Sequence, residues 1–352
     1  MVNYRTPVDW DQWVDQLAET LHARNRWRLS LLIMGIVFAT GRRTVTSWLR
    51  AVGISDDYAD YYYFLQPVGR RVSQIAARLL QLLLKQIVTS ERVLFAIDDS
   101  PTKRYGPHVQ GAGIHHNPTP GPADQAYLYG HIWVTISLVV RHPLWNTIGL
   151  PLIGLLYVRA KDICKIPPKH QWTFQTKLDL AVKYFLCLAK IAQDAGKTVW
   201  VVADGAYAKR AFMHPIIAAG IVIVSRLRKD AALYDLPPKQ KHRGRGRPRK
   251  YGKKLSLKHK AAHPKGWNTI ACQVYGKIVT KQFKTFLATY PPVGGVIRVV
   301  IVKEAHGPQF FFCTDPNATV QQIIEAFGDR ASIEQDFHDV KEVWGAGQQQ
   351  VR

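Results

Sequence analysis

Between Arg92 and Arg228 the chain runs through short apolar stretches separated by turn residues and two helical stretches. RVLFAID, HIWVTISLVV and PLIGLLYVR each read as a strand, because each is a brief apolar run bounded by turn residues. An amphipathic helix over roughly Gln175 to Ala195 follows, then the strand TVWVVAD, a helix through Lys209 and Met213, and the strand IVIVSRLR. Three strands, helix, strand, helix, strand is an α/β order that leaves few arrangements open.

That order is the order of an RNase-H-like domain, which we take as the catalytic core, first part, over residues 89–228. Residues 1–88 read as helices and form an N-terminal helical region expected to bind DNA. Within it, GRRTVTSWLRAVGIS resembles half of a helix-turn-helix, with Thr44 as N-cap, Trp48 and Leu49 facing inward, and Arg42, Arg43 and Arg50 facing solvent or phosphate. A small helical bundle with a solvated basic face accounts for the same residues. Residues 229–315 read as a basic loop, PPKQKHRGRGRPRKYGKKLSLKHK, followed by a β-rich insertion of antiparallel strands. Residues 316–352 supply the last helix of the core.

Two of the strands end in carboxylates. RVLFAID delivers Asp98, followed by Asp99 and Ser100, and TVWVVAD delivers Asp204. An acid at the tip of an apolar strand either caps the next turn or meets an acid from another element. Asp99 rivals Asp98; Ser100, placed to support Asp98, favours the latter. A third acid, Glu334, lies on FGDRASIEQDFHDVK, where Phe327, Arg330, Glu334, Phe337 and Lys341 share one sector of a helix at about 100° per residue. Rings mixed with two cations and an anion suit a plain core poorly. Three converging carboxylates suit Mg²⁺, which prefers hard oxygen donors, and their mutual repulsion calls for bound cations.

These residues resemble the insertion-sequence transposases of the DDE superfamily, in particular the IS4-like and IS701-like groups. The last catalytic helix of those enzymes carries Tyr-x2-Arg-x3-Glu-x6-Lys, and this chain has Phe327, Arg330, Glu334 and Lys341 at that spacing. IDDSPTKRYG and DGAYAKR also resemble the family, and the likeness spans roughly residues 30 to 352. It implies that Asp98, Asp204 and Glu334 are catalytic and hold two Mg²⁺ ions, which Mn²⁺ replaces, for cleavage and strand transfer of DNA. It implies that Arg330 and Lys341, with Phe327, contact transposon ends, and that a homodimer forms on transposon-end and target DNA. Phe327 departs from the family tyrosine and lacks its hydroxyl. Family members continue beyond this signature, so a chain stopping at Arg352 reads as a truncated product. Two other readings stay open: an inactive transposase-derived DNA-binding protein, and an RNase-H-like nuclease without strand transfer.

The charge balance agrees with a polyanionic partner. Lys+Arg 48 against Asp+Glu 25 gives a formal net charge of +23. In the basic loop, Arg243, Arg245, Arg247 and Arg249 are expected to touch phosphate, and Arg245 to Pro248 also resembles a minor-groove AT-hook. Trp267 reads as a packed strand residue or as a holder of a flipped base. The run LSLLIMGIVFAT is shorter than the roughly 20 residues that span a bilayer. The expected location is the bacterial cytoplasm, at the nucleoid when DNA is bound, with no membrane partner. Cys164, Cys187, Cys272 and Cys313 lack metal-ligand spacing and read as small buried residues in a reducing compartment.

Overall fold

A computed structural model describes residues 8–106, 108–117, 125–238 and 249–348. Five helices come first: α1 (Val8–Ala18), α2 (Trp27–Phe38), α3 (Val45–Ala51), α4 (Tyr58–Arg70) and α5 (Val72–Gln86). Thr44 caps α3 in a reciprocal pair with Ser47, and Leu49 beneath it is fully buried. Val14, Leu32, Leu49, Tyr61 and Phe64 share a small core of their own. Helix α5 joins this unit to the rest, because Leu80, Leu83 and Leu84 pack into the main core instead.

Next come β1 (Arg92–Lys103), β2 (Gly113–His116), β3 (Tyr127–His142), β4 (Asn146–Tyr157), α6 (Lys177–Asp194), β5 (Thr198–Ala203), α7 (Arg210–Ala218) and β6 (Val222–Arg226). The centre of the sheet runs β4-β3-β1-β5-β6, with β1, β5 and β6 parallel and β3 and β4 antiparallel. β7 (Leu233–Tyr234), β8 (Lys254–Leu255), α8 (Leu257–Ala262), β9 (Asn268–Val274), β10 (Lys277–Tyr290), β11 (Gly295–Lys303) and β12 (Gln309–Cys313) follow, then α9 (Val320–Asp329) and α10 (Ser332–His338). β12 pairs antiparallel with β6, so the insertion continues the same sheet, which has 12 strands among the described residues.

Alternation along the strands splits the core into two layers. Val93, Phe95 and Ile97 face α5, α6 and α7, where Phe95 meets Phe185 edge-on at 5.4 Å. Ala96, with Trp200, Val202 and Val224 from the neighbouring strands, faces α9. Helix α6 earns its place by period: Leu180, Ala181, Phe185, Leu188, Ala189 and Ala192 form its buried stripe, and Thr176 caps it with Asp179. Complete burial of one such Phe contributes about 2 to 3 kcal/mol.

Four expectations need correcting. β1 does not end at Asp98: it runs on to Lys103, because β3 keeps pairing with it as far as Gly130. The basic tract is not all loop: β8 and α8 form at its end, where Leu257 is a buried anchor. Its Arg243, Arg245 and Arg247 lie outside the described residues, while Arg249 is exposed. Of the cysteines only Cys272 and Cys313 are buried; Cys164 and Cys187 are exposed, and all four are free.

The fourth correction concerns the last helix, which is interrupted. α9 stops at Asp329, a tightened turn carries Arg330 and Ala331, and α10 gives way at Asp339 to a π-turn through Val343. Separate side-chain ties pin the two halves. Asp329 at the end of α9 is held by Arg141 and Thr147, while Asp336 in α10 is held by the Ser137 hydroxyl of β3 at 2.6 Å. A Cβ at Gly149 would run into the Asp336 carboxylate, so β4 needs a glycine where α10 crosses it.

Candidate active site

Parallel pairing of β1 with β5 stops at Ile97 and Ala203, so the next residues, Asp98 and Asp204, stand side by side where the strands part. β1 continues along β3 while the chain after β5 turns away, so the two strands diverge at Asp98 and Asp204. Asp204 also caps the turn it starts, accepting the Ala206 N–H at 3.3 Å. The capping and site readings thus hold together for this residue.

Asp98 lies on the face covered by α9 and α10. Its Oδ1 accepts the backbone N–H of Asp99 at 2.8 Å, and its Oδ2 accepts Arg330 Nη1 at 2.6 Å. The same guanidinium donates from Nη2 to Glu334 Oε1 at 3.1 Å. Glu334 is otherwise largely exposed, and Arg330 is the bridge that ties it to Asp98. Burial pushes the Asp98 carboxyl up to about 6, against the pull of Arg330 and the Asp99 N–H. Asp204 adds to that rise by its negative charge, which places the two acids within electrostatic reach.

The rest of the helical stripe also meets the sheet. The Phe327 ring packs on Phe311 at 4.7 Å, with the Arg330 guanidinium 5.4 Å from its centroid. Lys341 Nζ donates to Ser100 Oγ at 2.5 Å, and burial lowers its pKa. Ser100 therefore serves Lys341 and not Asp98, as its position two residues along the same strand face allows.

Asp99 points to the opposite face. There it accepts Lys177 Nζ at 2.6 Å and the Tyr207 hydroxyl at 3.2 Å. Burial, then the charge of Asp99, drives the Tyr207 pKa well above its usual value, so the hydroxyl stays a donor. Tyr207 sits in the turn that Asp204 caps. One hydrogen bond thus couples the loop of one strand-end acid to the neighbour of the other. Sequence reasoning missed this pair; the tyrosine of DGAYAKR was its only visible sign.

Among the N-terminal arginines, Arg42 is exposed, while Arg43 spends its guanidinium on the Ile36 carbonyl at 2.8 Å. The Arg43 backbone N–H donates to Gln348 at 2.7 Å, so the basic turn before α3 abuts the segment that follows Lys341. Trp267 is packed against the main core, with Lys284 Nζ 4.7 Å from its ring.

Among the described residues no three His, Cys, Asp or Glu side chains are grouped so as to hold a metal ion. The donors still fit a hard divalent cation, because Asp98, Asp204 and Glu334 offer carboxylate oxygens throughout. The Arg330 guanidinium already places its positive charge between Asp98 and Glu334.

A mixed sheet with acids at adjacent parallel strand ends, covered by a helix bearing cations, is consistent with an RNase-H-like nuclease fold. This chain belongs to the DDE superfamily endonuclease family, which it matches over residues 16–286. The match takes in Asp98 and Asp204 and ends before Arg330, Glu334 and Lys341. No curated protein gives a match. Endonucleases of this superfamily take DNA as substrate, and among the described residues no helix is long and apolar enough to cross a membrane.

Proposed function

We propose that the protein is an insertion-sequence transposase of the IS4-like or IS701-like kind, cutting transposon ends and joining them to target DNA. The observation that carries this is the Arg330 bridge: one guanidinium joins Asp98, beside Asp204, to Glu334 at the spacing of the transposase signature. Asp98, Asp204 and Glu334 would hold two divalent ions, Mg²⁺ or Mn²⁺, which when bound supply positive charge at the scissile phosphate and acidify an attacking hydroxyl group.

The chain's own side chains do the rest. Arg330, released from the acids, and Lys341, at the rim beside Ser100, are placed to receive phosphate oxygens of the transposon end. Phe327 braces Arg330 by packing between it and Phe311, which makes the missing tyrosine hydroxyl dispensable for that support. The divergence of β1 and β5 leaves the two aspartates side by side, where they would face one phosphate. Arg42 and the basic tract extend the contact surface for DNA, and a homodimer would bring two ends together.

A cleavage assay separates this reading from its rivals. Purified chain with Mg²⁺ is given duplexes carrying the inverted repeats that flank its gene, and duplexes of scrambled ends. End-specific nicking followed by joining to a target plasmid supports transposition. Cleavage indifferent to end sequence marks a general nuclease, and end binding without any cleavage marks an inactive DNA-binding relative.

A further inference from the structure

Two β-hairpins meet at the end of the sheet opposite the acids. The β3–β4 turn spans residues 142–146, and the β9–β10 turn is the two-residue loop Tyr275-Gly276, both with positive φ. The turns touch: a Cβ on Gly276 would lie 2.7 Å from the Asn146 amide carbon. Together they hold Leu144, Trp145, Tyr275 and Ile278 out to solvent, at 80%, 66%, 73% and 82% exposure. Four large apolar side chains on one projection mark a contact surface.

The projection is held rigidly. Trp145 lies flat on His142, with centroids 4.2 Å apart and planes 17° off parallel. His142 Nδ1 accepts the backbone N–H groups of Leu144 and Trp145, fixing the turn. At the roots, two carboxylates of α9 clamp both hairpins: Asp329 and Glu325 accept from Arg141, Asp329 from Thr147, and Glu325 from the Gln273 N–H. An indole fixed in this way loses little entropy on meeting a partner.

Charge selects the partner. Neither hairpin, 127–157 or 268–290, contains an Asp or Glu, Arg141 takes up the carboxylates of Glu325 and Asp329 at the roots, and Lys277 is exposed beside the tip. A second copy of so basic a chain would bring like charge to this rim, whereas a polyanion would neutralise it. The tip begins seven residues along β3 from Thr135, the partner of Asp98, or roughly 23 Å at ~3.3 Å per residue. That is about seven base pairs of duplex at ~3.4 Å each.

We propose that this twin tip is a DNA wedge: Trp145 and Leu144, flanked by Tyr275 and Ile278, press into a base-pair step of duplex DNA while Lys277 takes a neighbouring phosphate. Apolar wedges of this kind unstack a step and bend the duplex. The proposal rests on the transposase reading only in taking the polyanion to be DNA.

The test uses the full chain, without metal, and a mixed-sequence 30-base-pair duplex, about 30 being enough to cover core and tip. Binding is followed by fluorescence anisotropy, and unstacking by permanganate attack on thymines. Leu144→Ser with Trp145→Ala, and separately Tyr275→Ala with Ile278→Ser, should weaken binding by about tenfold or more and abolish a permanganate-reactive site seen with the parent chain. All side chains changed are exposed, and circular dichroism checks that folding is kept. Equal affinity and equal reactivity in parent and variants would overturn the wedge while leaving the transposase reading intact. A changed oligomeric state by light scattering with unchanged DNA affinity would assign the tip to a second copy and overturn it too. A parent chain that binds no duplex at all defeats both readings.

Discussion

Arg330 and Asp98 meet across the gap between the last helix and the sheet, 2.6 Å from Nη1 to Oδ2, and neither side chain is more than a fifth exposed. The pair joins residues 232 positions apart and links the helix directly to a strand-end acid. An arginine there neutralises an aspartate that burial otherwise pushes toward protonation, and it ties Glu334 to the same acid.

Arg330→Ala should therefore leave Asp98 buried and unpaired. The expected loss is about 1 to 3 kcal/mol of stability, read as a lower urea midpoint. Arg330→Lys restores charge but not the two-pronged grip, so it should recover part of the stability and little of the cleavage. A variant as stable as the parent would show that the bridge contributes nothing to folding.

The acids can be told apart from their neighbour. Asp98→Asn, Asp204→Asn and Glu334→Gln should each cut cleavage by at least about 100-fold while leaving end binding within about twofold, since charge at phosphorus and not DNA grip is lost. Asp99→Asn should act more mildly, because Asp99 faces Lys177 and Tyr207 on the other side of the sheet. Equal damage from Asp99→Asn would mean that the two faces are not separable.

Tyr207→Phe removes one hydroxyl and no ring packing. Its loss leaves Asp99 with Lys177 alone and frees the turn that Asp204 caps, at a cost of about 1 kcal/mol. The expected signature is a higher Mg²⁺ concentration for half-maximal cleavage with unchanged DNA affinity. A shift in DNA affinity alone would place Tyr207 elsewhere in the mechanism.

Much of this arrangement is legible in the sequence, for identifiable reasons. The strands carrying Asp98 and Asp204 show because their apolar runs end abruptly in polar residues, and parallel pairing then brings the two acids level. What lies beyond depends on partners far along the chain. The extension of β1 through Ser100 and Pro101 has no local apolar signal and exists because β3 pairs with it. The break at Arg330 and Ala331 is invisible to periodicity, since it follows from Asp329 being tied to Arg141 and Asp336 to Ser137. Asp99 against Tyr207 is likewise a contact across the sheet's edge, set by alternation that the DD pair alone leaves ambiguous.

Asp336 gives a pH test that needs no DNA. Burial raises its carboxyl from 3.8 to about 6 in the folded chain, with the Ser137 hydroxyl opposing the rise. Between pH 4 and 6 the folded state thus binds more protons than the unfolded state, so this group's contribution makes stability fall as pH rises through that window. The full penalty above about pH 6 is on the order of 2 to 3 kcal/mol for a shift of roughly two units. Asp336→Asn should remove that slope and raise the melting temperature at pH 8 relative to the parent. A parent and variant with parallel pH profiles would show that Asp336 ionises freely.

The tract from Lys239 to Lys260 carries the remaining expectation, that its cations touch phosphate without reading sequence. Each phosphate neutralised releases condensed counterions, so affinity should fall with salt at a log-log slope of about 0.9 per contact. Replacing Arg243, Arg245, Arg247 and Arg249 by alanine should flatten that slope and weaken binding equally on A·T-rich and G·C-rich duplexes. Groove entry would behave differently, because a narrow A·T minor groove concentrates negative potential and rewards an inserted arginine. A loss confined to A·T-rich DNA would therefore assign Arg245 and Arg247 to the minor groove. An unchanged slope would remove the tract from the DNA interface altogether.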